Sequence, residues 1–233
     1  MVEAREVDLL TRRQSGRLEG RGMLREQLDE LKTLLENHSY YYREEPPFKL
    51  ASGRQSNYYY DAKWVTLAPR GQSLVGHVLF RLLREVGGVD AVGGLELGAV
   101  PMATAAAFAS ELEGHRIPAF IVRKQEKTHG TMGKVAQGRV EDGSEPIGRG
   151  RRVVVLDDVV TTGDSVEKAI DRIEADGAEV AAVLVLVCRT EAGGRENIEG
   201  KGYNFFAIFD SHERDGGKLH LSKELTRLLQ VPA

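Results

Sequence analysis

Val153 to Ser165 reads VVVLDDVVTTGDS. An apolar run meets two adjacent acids, Asp157 and Asp158, and two further apolar residues follow, Val159 and Val160. Thr161, Thr162, Gly163, Asp164 and Ser165 then open a helical pattern over about 163–176. A buried strand that ends in acid and turns into a small-residue helix start offers free backbone amides, and the positive end of a helix dipole, to a phosphate-sized anion. The carboxylates would repel a phosphate, so they face sugar hydroxyls, a hydrated Mg2+, or positive charge developing on a sugar ring. The bland alternative is a solvated acid pair at a turn. The hydrophobic strand before it and the hydroxyl-rich turn after it favour a sugar phosphate ligand.

The surroundings agree with a parallel sheet. Apolar strands are expected at Val89–Gly94, Ile117–Val122, Val153–Asp157, Val180–Val187 and Phe205–Phe209. Helices are expected near 71–86, 99–113, 163–176 and 192–200. Strands alternating with helices predict an α/β fold, a central parallel sheet flanked by helices. Ligands of such sheets bind beyond the carboxyl ends of the strands, where Arg123-Lys124 and Asp157-Asp158 both fall. Leucines at 24, 28, 31 and 35 predict an amphipathic helix over 23–38. Residues 46–68, with Pro46-Pro47, Ser52-Gly53 and Tyr58-Tyr59-Tyr60, read as short strands and turns rather than helix. One domain is expected over 23–233, with a small N-terminal hood at about 23–68, a core at about 69–210 and a C-terminal helix at about 218–230. Residues 1–22 carry five arginines among Glu3, Glu6, Asp8 and Glu19 and read as a flexible extension.

Composition narrows the class. Of 233 residues, 41% are hydrophobic and 29% charged, with a net charge of −3, so charge alone favours no polyanionic partner. No apolar run reaches membrane-span length. The single Cys188 excludes a disulfide framework and fits a reducing, cytoplasmic setting. Histidines 38, 77, 115, 212 and 220 show no metal-ligand spacing. A strand ending in Asp-Asp also suits a P-loop nucleotidase, but G-x-x-x-x-G-K-[ST] is absent, as is G-x-G-x-x-G.

The stretch 123–150 is rich in glycine and cations and reads as a lid. Arg123, Lys124, Lys127 and His129 place four basic groups within seven residues, suited to charge building on a leaving group. His129 adds a hydrogen bond or a proton, and Gly130, Gly133 and Gly138 permit closure. Arg189, just after a strand, is able to fork with a carboxylate.

VVVLDDVVTTGDS resembles the phosphoribosyl pyrophosphate (PRPP) motif of the type I phosphoribosyltransferases. FKLASGRQSNYYYD at 48–61, RKQEKTHG at 123–130 and CRTEAGGREN at 188–197 are similar to segments of the orotate phosphoribosyltransferases, in that family's order. GLELGAVP at 94–101 resembles the family's pyrophosphate loop, and reads equally well as a plain strand-to-helix turn.

The resemblance implies transfer of phosphoribosyl from PRPP to orotate, giving orotidine 5′-monophosphate and pyrophosphate in pyrimidine biosynthesis. It implies that Arg123, Lys124, Lys127, His129 and Asp157 to Ser165 bind PRPP, with Asp157, Asp158, Lys127 and His129 catalytic. It places orotate against Thr161 and Arg189, with Mg2+ bound mainly through PRPP rather than by protein ligands; Tyr59 and Tyr60 are able to flank the flat pyrimidine, although aromatic clusters more often form hood core. It also implies a homodimer whose lid reaches into the partner's site, with no nucleic acid or membrane partner. Ala51 and Leu97 stand where some branches carry lysines; that charge comes from Lys49 or Arg54, or is missing. A purine phosphoribosyltransferase and a PRPP-sensing regulator are the rival readings. SGRQSNYYYD and Arg189 speak against the first, and the short, charge-balanced tail against the second.

Overall fold

The computed structural model describes residues 22–50, 53–127, 133–138, 145 and 147–230. Helix α1 spans residues 22–38 and buries Leu24, Leu28, Leu31 and Leu35, the face that their spacing predicts. The hood follows as β1 (Tyr40–Tyr42), β2 (Phe48–Lys49), β3 (Gln55–Ser56) and β4 (Tyr58–Tyr60). β1 pairs with β4 and β2 with β3, both antiparallel. In β4 the pleat buries Tyr58 and Tyr60 and turns Tyr59 outward. A single-turn helix, α2 (Lys63–Thr66), leads to α3 (Pro69–Val86). The turn α2 corrects the expectation of no helix between 46 and 68; four residues are too few to carry a periodic signal.

α3 starts with Pro69 in its first turn and stops at Gly87, whose φ is 66°. Next come β5 (Ala91–Leu95), α4 (Ala99–Leu112), β6 (Ala119–Lys127), β7 (Gly133–Gln137), β8 (Arg152–Val160) and α5 (Asp164–Ala175). The chain closes with β9 (Glu179–Arg189), α6 (Gly194–Gly200), β10 (Phe205–Ser211), β11 (Leu219–Leu221) and α7 (Lys223–Gln230). The main sheet runs β11-β10-β9-β8-β5-β6-β7. Its central pairs are parallel, and β11 and β7 are antiparallel edges. β8 and β9 are nearly continuous valine, leucine and alanine because helices cover both faces.

α3 and α4 cross closely on one face: a Cβ on Gly76 would sit 2.6 Å from the Ala105 carbonyl oxygen. Leu79 and Leu83 are buried beneath that crossing. Truncating Leu79 to alanine would cost about 2–5 kcal/mol.

The expected long helix over 218–230 is a strand followed by a helix. Leu219–Leu221 pairs with Phe209–Ser211, and its leucines alternate around His220 in strand fashion. Strand β8 does not end at Asp157 but runs on to Val160. The stretch 123–150 is not one loop either, since β6 carries Arg123 and Lys124 and turns back as β7.

Candidate active site

β8 leaves β5 before it leaves β9. Its pairing with β5 stops at Val155, whereas its pairing with β9 continues to Val160. Asp157 and Asp158 occupy this overhang. The chain passes from β5 to β6 on one side and returns to β8 on the other, so the acids stand at the topological switch point of the sheet. Gly98, in the turn between β5 and α4, makes room for them. A Cβ there would lie 2.3 Å from Asp158 Oδ1 and 3.1 Å from Asp157 Oδ1.

The Asp158 amide donates to Asp157 Oδ1 (3.1 Å) and the Val159 amide to Asp158 Oδ1 (2.9 Å). Even so, burial and then the neighbouring Asp158 charge hold the Asp157 carboxyl well above the usual carboxylate range. Burial also raises Asp158. Lys124 opposes the shift at Asp157, and Lys63 opposes it at Asp158.

After the overhang, Gly163 takes a left-handed turn (φ 93°) into α5. No side chain caps that helix, and Glu167 is the first to bond back to Gly163. The earlier amides therefore face the cleft, where an anion completes them. Thr162 Oγ1 donates instead to Asp164 Oδ1 (2.7 Å). The turn is braced from α6: Asn197 Nδ2 donates to the Thr162 carbonyl (2.9 Å), and a Cβ on Gly194 would lie 2.2 Å from the Thr161 carbonyl oxygen.

A cavity of about 720 Å3 joins these parts. Asp157, Val159, Val160, Thr161, Thr162, Gly163, Asp164 and Ser165 line it, with Arg123 and Lys124 opposite. The two cations stand on β6 rather than on a moving loop, and the Lys124 amide donates to Glu96 Oε1 (2.7 Å), tying β6 to the β5–α4 turn. His129 and Ala51 lie outside the described residues, as does the side chain of Lys127. Lys168 and Arg172 extend the cavity along α5, a contribution missed because α5 reads simply as amphipathic.

The base-side expectations fare differently. Tyr60 is buried in the hood and its hydroxyl donates to the Gly217 carbonyl (2.8 Å), so it is core rather than a ring facing the cleft. Tyr59 is partly exposed and stacks on Phe48 at 5.6 Å. Arg189 reaches the carboxyl rim of the sheet, yet only 2% of it is exposed. Its guanidinium lies over the Tyr58 ring (4.0 Å) and donates to Glu191 Oε1 from Nε (3.0 Å) and Nη2 (2.8 Å). Nη2 also reaches Ser56 Oγ (2.8 Å), and Nε reaches the Tyr58 hydroxyl (3.2 Å). The expected fork to a ligand carboxylate is thus filled by the chain's own Glu191. Arg54, a suggested substitute for the absent lysines, donates to the Glu191 carbonyl (3.0 Å). Lys49 is exposed on β2.

The phosphoribosyl transferase domain family matches residues 65–213. The orotate phosphoribosyltransferase of Aquifex aeolicus is 41% identical over 191 residues, covering 82% of this chain and 99% of that protein. Among solved structures, Mycobacterium tuberculosis orotate phosphoribosyltransferase with Fe(III) dicitrate has a TM-score of 0.65 at 33% identity, covering 79% of this chain and 96% of that one. The same enzyme in complex with PRPP gives a TM-score of 0.61 at 32% identity, covering 79% and 96%.

Proposed function

The chain belongs to the orotate phosphoribosyltransferases of the phosphoribosyl transferase family, and we propose that the cleft at its sheet switch point performs their transfer with the residues described above. One observation carries this reading: a single cavity holds Asp157 of the β8 overhang, the uncapped start of α5 and the cations of β6. The amides of Thr162 to Ser165 take the 5′-phosphate. Asp157 and Asp158 meet the ribose hydroxyls and oppose the positive charge that C1 develops as its bond to pyrophosphate breaks. Orotate N1 then forms the new bond to C1 and releases its proton to solvent, and pyrophosphate leaves with the bonding electron pair towards Arg123 and Lys124. Lys127 and His129 belong to the segment that closes over the leaving group and excludes water.

Among the described residues no three potential ligands gather around a metal position. Mg2+ carried by PRPP would bring oxygen ligands of its own to the buried acid pair. Asp157 and Asp158 are the residues that would face Mg2+, which when bound with PRPP offsets the charge of the pyrophosphate.

On the base side, Arg189 remains the orotate residue. A ligand carboxylate would take the place now filled by Glu191, while Thr161 lies at the cavity edge and Tyr59 is the partly exposed ring of its pair. The single thiol, Cys188, is buried, which suits a reducing, cytoplasmic setting. A second copy of the chain would cover the outer face of α4. That helix is apolar on nearly all sides, yet Phe108 and Leu112 stand exposed, as do Trp64 on the adjoining α2 and Leu67 just after it. In such a dimer the closing segment reaches the partner's cleft.

The test is loss of orotate absorbance with PRPP and Mg2+, together with release of pyrophosphate. Consumption of a purine base in place of orotate would overturn the reading.

A further inference from the structure

The phosphate turn is gripped from behind by α6. Asn197 Nδ2 donates to the Thr162 carbonyl at 2.9 Å. Gly194 packs so closely on the Thr161 carbonyl that a Cβ there would lie 2.2 Å from its oxygen. Ile198 underlies Gly163, with two side-chain carbons 3.4 Å from where a Cβ on that glycine would stand. α6 is itself fixed. Arg195, only 7% exposed, donates from Nη1 to Glu224 Oε1 of α7 (2.9 Å) and from Nη2 to Asp210 Oδ1 of β10 (2.5 Å). Ile198 is fully buried.

The bond to Thr162 bears on the amide that follows it. A trans peptide is planar, so its carbonyl and its N–H point opposite ways. With the Thr162 carbonyl held towards α6, the Gly163 amide points away from α6, to the side of the cavity that Gly163 lines. Gly163, at φ 93°, has no Cβ to resist rotation of that peptide. The turn's own bond, from Thr162 Oγ1 to Asp164 Oδ1, joins two side chains and does not hold the peptide.

We propose that Asn197 is a positioning residue for the phosphate subsite: its bond to the Thr162 carbonyl keeps the Gly163 amide aimed at the cavity, ready to donate to a phosphate oxygen. Arg195 supports it by fixing α6 to β10 and α7. A rotated peptide would present a carbonyl to the anion in place of a donor, so attraction would become repulsion. The inference rests on reading the turn as the 5′-phosphate site and adds a residue that acts from behind it.

The experiment compares the full chain with Asn197→Asp and Asn197→Ala. Aspartate keeps the shape but has no N–H to donate at neutral pH, and Asn197 is exposed, so neither change enters the core. KM for PRPP rises about three- to tenfold in both variants, while KM for orotate and the melting temperature hold. Amide NMR follows Gly163 as ribose 5-phosphate is added. The native signal moves on binding; in both variants the response shrinks and the affinity falls by a similar factor. A native KM for PRPP and a native Gly163 response in Asn197→Ala would overturn the proposal. A loss confined to Asn197→Asp would trace to its charge and overturn it as well. If the native chain binds ribose 5-phosphate but consumes no orotate, the transfer reading falls, while the Gly163 signal still decides the role of Asn197.

Discussion

The phosphate side and the base side of the cleft are built in opposite ways. The phosphate side is contiguous: Asp157 to Ser165 supplies the acids, the turn and the helix start in one sweep of chain. The base side is assembled across the fold, with Tyr58 and Ser56 of the hood meeting Arg189 and Glu191 more than 130 residues later. Contiguous construction leaves its chemistry open to ligand, because the uncapped amides and buried acids have few internal partners. Assembled construction satisfies its own groups first, so a ligand there competes with existing bonds.

The largest effect should come from Asp157→Asn, which isolates the contiguous half. Its kcat should fall about 10²–10³-fold, yet the chain should melt at a higher temperature near neutral pH. The folded-state pKa of Asp157 is raised. Stability linked to it is therefore present at acid pH and lost as pH rises through that value, and a permanently neutral amide keeps it. A variant that is both inactive and less stable would remove the distinction between open chemistry and satisfied packing.

Gly98→Ala should follow, with kcat/KM reduced by about 10²-fold, because the new methyl displaces the Asp158 carboxylate. Circular dichroism should show the fold retained. Near-native turnover would mean that the acids do not need their position at the switch point.

Arg189→Met probes the assembled half, where stability and binding change together. Glu191 loses its partner in a buried setting, and unfolding stability should drop by about 3 kcal/mol in a denaturant titration. The KM for orotate should rise while the KM for PRPP holds. Loss confined to stability would mark Arg189 as a latch between hood and sheet only.

Tyr60→Phe should do least. It removes one buried hydrogen bond to Gly217, worth about 1 kcal/mol, and should leave the KM for orotate unchanged. A large rise in that KM would return Tyr60 to the ligand.

The same division explains what the sequence made legible. The apolar run, acid pair and small-residue turn at 153–165 announce strand, rim and helix start because each signal is local. The leucine face of α1 and the pattern of α3 are equally plain. The overhang of β8 past β5 was not legible, since it depends on where two strands separate. Nor was the pairing of Leu219–Leu221 with β10, as three residues carry too little alternation to outweigh the helix beside them. Arg189 was legible as a cation at a strand end, but its neighbours were not, because Tyr58 and Ser56 come from the far end of the chain.

The hood is also seated by the last part of the chain. The hydroxyls of Tyr40 and Tyr60 donate to the carbonyls of Gly216 and Gly217, and the Leu219 amide donates to Glu36 Oε1 (3.2 Å). A Cβ on Gly217 would lie 2.4 Å from the Tyr58 ring, so the turn that clasps the hood has no room for a side chain there. During synthesis, the hood residues must therefore wait for partners made more than 150 residues later. The parallel sheet can form from β5 to β10 while the hood strands remain unseated, and the cleft acquires its roof only once Gly216 to Leu219 have left the ribosome.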